Sequence, residues 1–208
     1  REYDIRGIYG ETLFDEDAKI LGNLFGIEVG KNETVNVGFD GRLSSPNLKK
    51  KLVEGLIECG INVNEIGLCP TPLLYFSCYE LTASGGIIVT GSHNPKNHNG
   101  FKIVLKNSPF FGKDLLRISE IAKNFCIKKE NGSVNYFDLQ KKYISRLIKN
   151  LNQKKKINIV WDSGNGAAGN IMKDLAEKID GNAEILFSEI DGNFPNHHPD
   201  PSEPKNLE

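Results

Sequence analysis

The alternation of strand-like and helix-like segments constrains the fold of this chain most. Residues 34–40 (TVNVGFD) alternate apolar and polar side chains and are rich in β-formers, which reads as a strand. Residues 86–90 (GIIVT) form a continuous apolar run, as expected of a strand buried on both faces. Between them, Leu48, Leu52, Leu56 and Ile57 recur at helical spacing. Ser45 reads as the N-cap of that helix, Pro46 as its first residue and Gly60 as its stop. Further helices are predicted over 15–30, 70–81, 113–125, 138–151 and 167–179, and further strands over 61–66, 101–105, 157–161 and 184–187. The 101–105 strand is turned back on the 86–90 strand by the loop between them, so the sheet is expected to be mixed. This succession predicts a layered α/β/α domain. The polar stretch 128–134 (KKENGSV) reads as a connection. A boundary near residue 137 is expected, dividing the chain into 1–137 and part of a second α/β domain, 138–208.

Charge and cysteine usage exclude several functions. The 26 Lys and Arg are balanced by 27 Asp and Glu, which leaves no global basic field for nucleic acid. No apolar run approaches the roughly 18 residues of a membrane span, so no membrane association is expected. Cys59, Cys69, Cys78 and Cys126 form no CxxC pair. Free thiols in a reducing cytoplasm are therefore expected, rather than a zinc site or a disulfide framework. The first residues carry neither an initiator Met nor an apolar signal region, and the last form no closing element. The chain is expected to be trimmed at both ends.

The chemistry concentrates in one loop. Thr90-Gly91-Ser92-His93-Asn94-Pro95 leaves the carboxyl end of the buried strand, where ligands of α/β sheets usually bind. Gly91 permits unusual backbone angles beside Ser92, and Pro95 opposes helix continuation. Ser92 is thus expected in a fixed, exposed turn, with Lys102 returning on the next strand. A hydroxyl, proton-shuttling groups and positive charge together suit phosphoryl transfer.

The whole string TGSHNPKNHNGFK resembles the phosphoserine loop of the α-D-phosphohexomutase family. The likeness recurs in order at Tyr3-Asp4-Ile5-Arg6-Gly7, at Gly38–Ser45 (GFDGRLSS), at Pro70-Thr71-Pro72, at Asp162–Gly169 and at Asp191–Pro204. It implies that Ser92 carries the transferred phosphoryl group and ligates Mg²⁺ through that phosphate. It implies His93 and Lys102 as acid/base groups, and Tyr3, Arg6 and Arg42 as candidate substrate or phosphate contacts. Asp40 and Arg42 either pair structurally or line the site. Gly91, where glucosamine-type mutases carry Ala, favours the phosphomannomutase/phosphoglucomutase branch.

The activity implied is reversible conversion of hexose 1-phosphate and hexose 6-phosphate through a hexose 1,6-bisphosphate, which also serves as activator. Phosphoglucosamine mutase or another phosphosugar mutase is the first alternative. A non-catalytic sugar-phosphate or nucleotide-binding domain is the second, because Gly164-Asn165-Gly166-Ala167-Ala168-Gly169 matches GxGxxG, with Glu189 about 20 residues on. His98 and the His197-His198 pair read as loop residues without a catalytic role. The family's Asp-rich metal loop and its later sugar- and phosphate-binding loops do not occur in these residues. They are expected in the remaining C-terminal domains, so this portion alone is expected to lack mutase activity.

Overall fold

The computed structural model describes residues 4–123, 126, 129–149, 151 and 155–206. In chain order the elements are β1 (Ile5–Ile8), α1 (Asp15–Val29), β2 (Thr34–Phe39), α2 (Ser45–Glu58), β3 (Asn62–Leu68), α3 (Thr71–Glu80), β4 (Gly85–Val89), β5 (His98–Leu105), β6 (Ser108–Pro109) and α4 (Lys113–Ala122). They continue with β7 (Val134–Tyr136), α5 (Gln140–Lys149), β8 (Ile157–Asp162), α6 (Gly169–Ala176) and β9 (Gly181–Leu186).

The main sheet runs in the order β1-β5-β4-β2-β3-β7, with β6 on β5. β4, β2, β3 and β7 are parallel neighbours, while β5 is antiparallel to β4, β1 and β6, so the sheet is mixed. Alternation along the strands divides the core. Val35, Val37, Ile87 and Val89 face the layer containing α1, α2 and α4. Ile66, Leu73, Leu74 and Ile88 pack with Leu139 and Ile144 on the other face, joined by Ile171 of α6. β8 and β9 form a separate parallel pair.

Helices α1 and α2 pack backbone to backbone. A Cβ on Gly55 would meet the Lys19 carbonyl oxygen at 2.2 Å, and one on Gly22 the Leu52 carbonyl oxygen at 2.3 Å. The buried Asn23 Nδ2 donates to the Gly55 carbonyl at 2.8 Å across this contact.

Several boundaries differ from the sequence reading. Ser44, not Ser45, precedes α2 as its cap residue. The Ser45 hydroxyl is drawn instead to Asp40 Oδ1 at 2.6 Å. β5 begins at His98 because residues 98–101 pair with β1, a strand too short to show a period. β7 adds three residues to the sheet edge beyond the expected connection. α6 starts at Gly169 rather than 167, since Gly164 and Asn165 take left-handed angles in the preceding turn. The end of the 113–125 helix lies outside the described residues.

Gly55→Ala is expected to destabilise the chain by about 1–3 kcal/mol through overpacking. Urea denaturation measures this; a change within about 0.5 kcal/mol, as for a neutral surface substitution, would contradict so close an approach.

Candidate active site

The carboxyl ends of the parallel strands converge. β2 leads into Asp40 and Gly41, β3 into Cys69 to Pro72, β4 into Thr90 and Ser92, and β8 into residues 162–168; all of these line one cleft of about 470 Å³. His93 and Lys102 line it from the first domain, and Phe194, His197 and Asp200 from the second. The most lop-sided environment in it belongs to the serine loop.

Ser92 adopts φ +51°, a left-handed angle uncommon for a residue with a side chain. Its amide donates to Thr90 Oγ1 at 2.9 Å, and Thr90 Oγ1 donates on to Asp40 Oδ2 at 2.8 Å. The Ser92 hydroxyl has no partner among the described residues and lines the cleft. The turn therefore fixes the backbone while the hydroxyl lines the cleft.

Arg42 holds the loop from behind. It is 1% exposed. Nη1 donates to the carbonyls of Pro95 at 2.6 Å and His98 at 3.1 Å. Nη2 donates to those of Ser92 at 2.8 Å and Asn94 at 2.7 Å, and Nε to Asp40 Oδ2 at 3.2 Å. All of its N–H donors are thereby engaged by the chain itself. Burial pulls Arg42 below the usual guanidinium value while Asp40 opposes the shift. This geometry corrects two expectations. Arg42 has no donor left for a substrate phosphate. Gly91 is required for space rather than for its angles: a Cβ there would lie 2.0 Å from Arg42 Nε.

Asp40 is the second hub. Besides Arg42, Thr90 and Ser45, it accepts from the Gly91 amide at 2.9 Å and the Arg42 amide at 3.1 Å. The buried Asn99 donates to Ser44 and Ser45 Oγ at 2.8 and 2.9 Å, tying the far end of the loop to α2. Nothing in the sequence singled out Asn99 or Thr90 for these bonds.

Lys102 is half-buried on β5 opposite Ile88, and no ion-pair partner accompanies it among the described residues. His93 is exposed. Arg6 lies on β1 opposite Gly100 and pairs with Asp4. Its Nε and Nη1 are buried with no hydrogen-bond partner among the described residues. Arg6 does not line the cleft, although its charge is felt by Arg42. Tyr3 lies outside the described residues. Cys69 lines the cleft as well, but burial pushes its thiol up to about 12, so it is no nucleophile near neutral pH.

The second-domain wall is internally braced. The Gly164 amide donates to Asp162 Oδ1, and the Ser163, Asn165, Gly166 and Gly169 amides to backbone carbonyls. A pyrophosphate would find most donors of this GxGxxG loop already used, which argues against the dinucleotide reading. His197 lies in a loop and is tied down there: Nε2 lies 2.7 Å from Asp162 Oδ2, and Nδ1 2.9 Å from the His198 carbonyl. Only the imidazolium donates to both acceptors. The pKa of His197 is raised, first by the His198 carbonyl and then by Asp162.

A serine loop at the switch between parallel and antiparallel strands defines an α/β scaffold with its ligand cleft at the strand ends. Comparison with known families narrows this class. Residues 1–127 match the family model "Phosphoglucomutase/phosphomannomutase, alpha/beta/alpha domain I", and residues 141–208 match domain II of the same family. The chain belongs to the phosphoglucomutase/phosphomannomutase family. It is 41% identical over 209 residues to a phosphomannomutase/phosphoglucomutase of Pseudomonas aeruginosa, covering 100% of this chain and 45% of that protein. It is 37% identical over 212 residues to a phosphoglucomutase of Neisseria meningitidis, covering 100% of this chain and 46% of that one. A family protein from Burkholderia thailandensis superposes with a TM-score of 0.92 at 36% identity, over 100% of this chain and 48% of its own. The chain thus spans about half the length of the relatives it matches.

Two outcomes are expected. Asp40→Asn leaves Arg42 without its buried counter-charge and costs about 3–5 kcal/mol in denaturant unfolding; a loss under about 1 kcal/mol would mean the pair is effectively solvated. The NMR titration midpoint of His197 lies above 6.5. Its stabilising contribution is complete below the ordinary value and fades as pH rises through the raised one. Asp162→Asn lowers the midpoint only part of the way, because the His198 carbonyl remains.

Proposed function

We propose that the parent protein is a phosphomannomutase/phosphoglucomutase that interconverts hexose 1-phosphate and hexose 6-phosphate. The observation that carries this reading is the free Ser92 hydroxyl, held in a left-handed turn at the cleft by a fully engaged Arg42. In the first transfer, the bond from phosphorus to Ser92 Oγ breaks as a bond forms to the free hydroxyl of a hexose monophosphate. The product is a hexose 1,6-bisphosphate. After the intermediate turns over, Ser92 Oγ takes the other phosphoryl group and the sugar leaves as the isomeric monophosphate. His93 and Lys102 accept and return the hydroxyl protons. Lys102, which lines the cleft, supplies positive charge near the transferred group.

Mg²⁺ is the metal this reading brings, with the Ser92 phosphate giving one oxygen of its shell, and a hexose 1,6-bisphosphate is the activator. Among the described residues, no group of three or more His, Cys, Asp or Glu side chains is placed to hold a metal ion. A hard cation needs several oxygens, so these residues do not fit a Mg²⁺ site by themselves and no step is assigned to one. On the same reading, the domains meet near residue 137, between β7 and α5, and the C-terminal domains complete the active site. The reading sets the protein in the cytoplasm, in keeping with its four free cysteines. Among the described residues no helix is long and apolar enough to cross a membrane.

The test is turnover of glucose 1-phosphate and mannose 1-phosphate by the full-length protein, followed by phosphorus NMR, together with mass mapping of Ser92. Ser92→Ala is expected to lower turnover on the order of 10³-fold or more, as loss of a nucleophile does, and to remove the phosphoryl group from the loop peptide. Undiminished turnover by Ser92→Ala would refute the assignment.

A further inference from the structure

The bend that carries Phe194 is strained, and the strain has a specific product. Phe194 sits at φ +51°. That angle is unfavourable for a bulky side chain, and doubly so immediately before Pro195, which biases its predecessor to extended angles. Strain of this kind persists only where the surroundings over-determine it. Here the Phe194 amide donates to the Asp191 carbonyl at 3.0 Å, and the Asn193 amide to Asp191 Oδ1 at 2.8 Å. Asp191 is itself tied through its amide to the Asn165 carbonyl at 3.0 Å.

The turn is pressed against the first domain at the residues that support the serine loop. A Cβ on Gly192 would lie 2.6 Å from the Gly41 carbonyl oxygen and 2.8 Å from Arg42 Cα. One on Gly41 would lie 2.4 Å from Ile190 Cγ2. The contact places the Phe194 ring under the Arg42 guanidinium, 5.1 Å from Cζ to ring centroid, within cation–π range. The edge N–H groups of that guanidinium are all committed to Asp40 and to the loop carbonyls, so a further neighbour can meet it only through its faces.

We propose that Phe194 is a positioning residue for the phosphoryl transfer: it fixes the plane of Arg42 from the second domain and thereby the set of the Ser92 turn. The strained backbone and the two glycine contacts place the ring against a face of Arg42, where no hydrogen bond acts. Any shift of the second domain against the first is then transmitted to the carbonyls of Ser92 and Asn94. The catalytic part of this inference rests on the mutase reading above, whereas the coupling across the domain seam does not.

The experiment uses the full-length protein with Phe194→Leu, which keeps apolar volume but loses the ring face, and Phe194→Tyr, which keeps it. Hydrogen exchange is followed peptide by peptide, alongside kcat and KM. Phe194→Leu is expected to speed exchange at least about 10-fold in residues 91–98, with the β2, β3 and β4 peptides unchanged, and to lower kcat about 10-fold with KM within twofold; Phe194→Tyr restores both. Should Phe194→Leu not fold, the same comparison is made with Phe194→Met. Unchanged exchange in the loop, or faster exchange spread evenly over the first domain, overturns the proposal. A wild-type protein that turns over no hexose phosphate, yet shows the loop-confined effect, upholds the coupling and sinks the mutase reading instead.

Discussion

The serine loop depends on one buried cation. The carbonyls of Ser92, Asn94, Pro95 and His98 all point inward, where four converging oxygens would repel one another and go unsatisfied. A guanidinium is the one side chain with enough donors in a fixed plane to satisfy them together. Its own charge is then answered by Asp40, which also binds Thr90, Ser45 and the Gly91 amide. Desolvating an ion pair is costly unless every remaining lone pair and proton is used. Here nearly all are, so the pair acts as a rigid pin and not merely as an attraction. The left-handed turn at Ser92 sits in this frame, with its carbonyl bonded to Arg42 and its side chain lining the cleft.

The same constraint explains which glycines matter. Gly91 lies flat against the guanidinium, and Gly100 lets β1 pass close to β5, with a Cβ there 2.0 Å from the Ile5 carbonyl oxygen. Gly41 and Gly192 bring the second domain into contact beside Arg42. These are sites of close approach, and only a missing Cβ satisfies them. On the far wall, the His197–Asp162 pair and the internally bonded 163–169 turn give the same rigidity by other means.

Much of the architecture was legible because periodicity is a local property. The long elements announce themselves: the apolar run that became β4, the α2 stripe at Leu48, Leu52 and Leu56, and the TVNVGF alternation of β2. Short elements were not legible. β1 and β7 exist because a neighbouring strand offers hydrogen bonds, and three or four residues cannot show a period. The serine loop could be read as a string, since its likeness to the phosphohexomutases spans many fixed positions. What could not be read was how the loop is held. Asn99 and Thr90 have ordinary polar side chains, and their partners lie 50 or more residues away in sequence. His197 reads as a loop residue in the sequence, and nothing local to it shows its pairing with Asp162, 35 residues away at the end of β8.

Arg6 and Arg42 show where sequence reasoning ends. Each offers the same fork of donors, and each was a candidate to grip phosphate. Only the count of used and unused donors separates them. Arg42 has none to spare, so bringing an anion to it would mean breaking bonds to the very loop that presents Ser92. Arg6 keeps Nε and Nη1 buried beside its bond to Asp4 with no partner among the described residues, an arrangement that costs free energy unless something else supplies acceptors. The two arginines thus differ in the donors their surroundings leave open, and the difference is set by burial and hydrogen bonding, which residue identity alone does not encode.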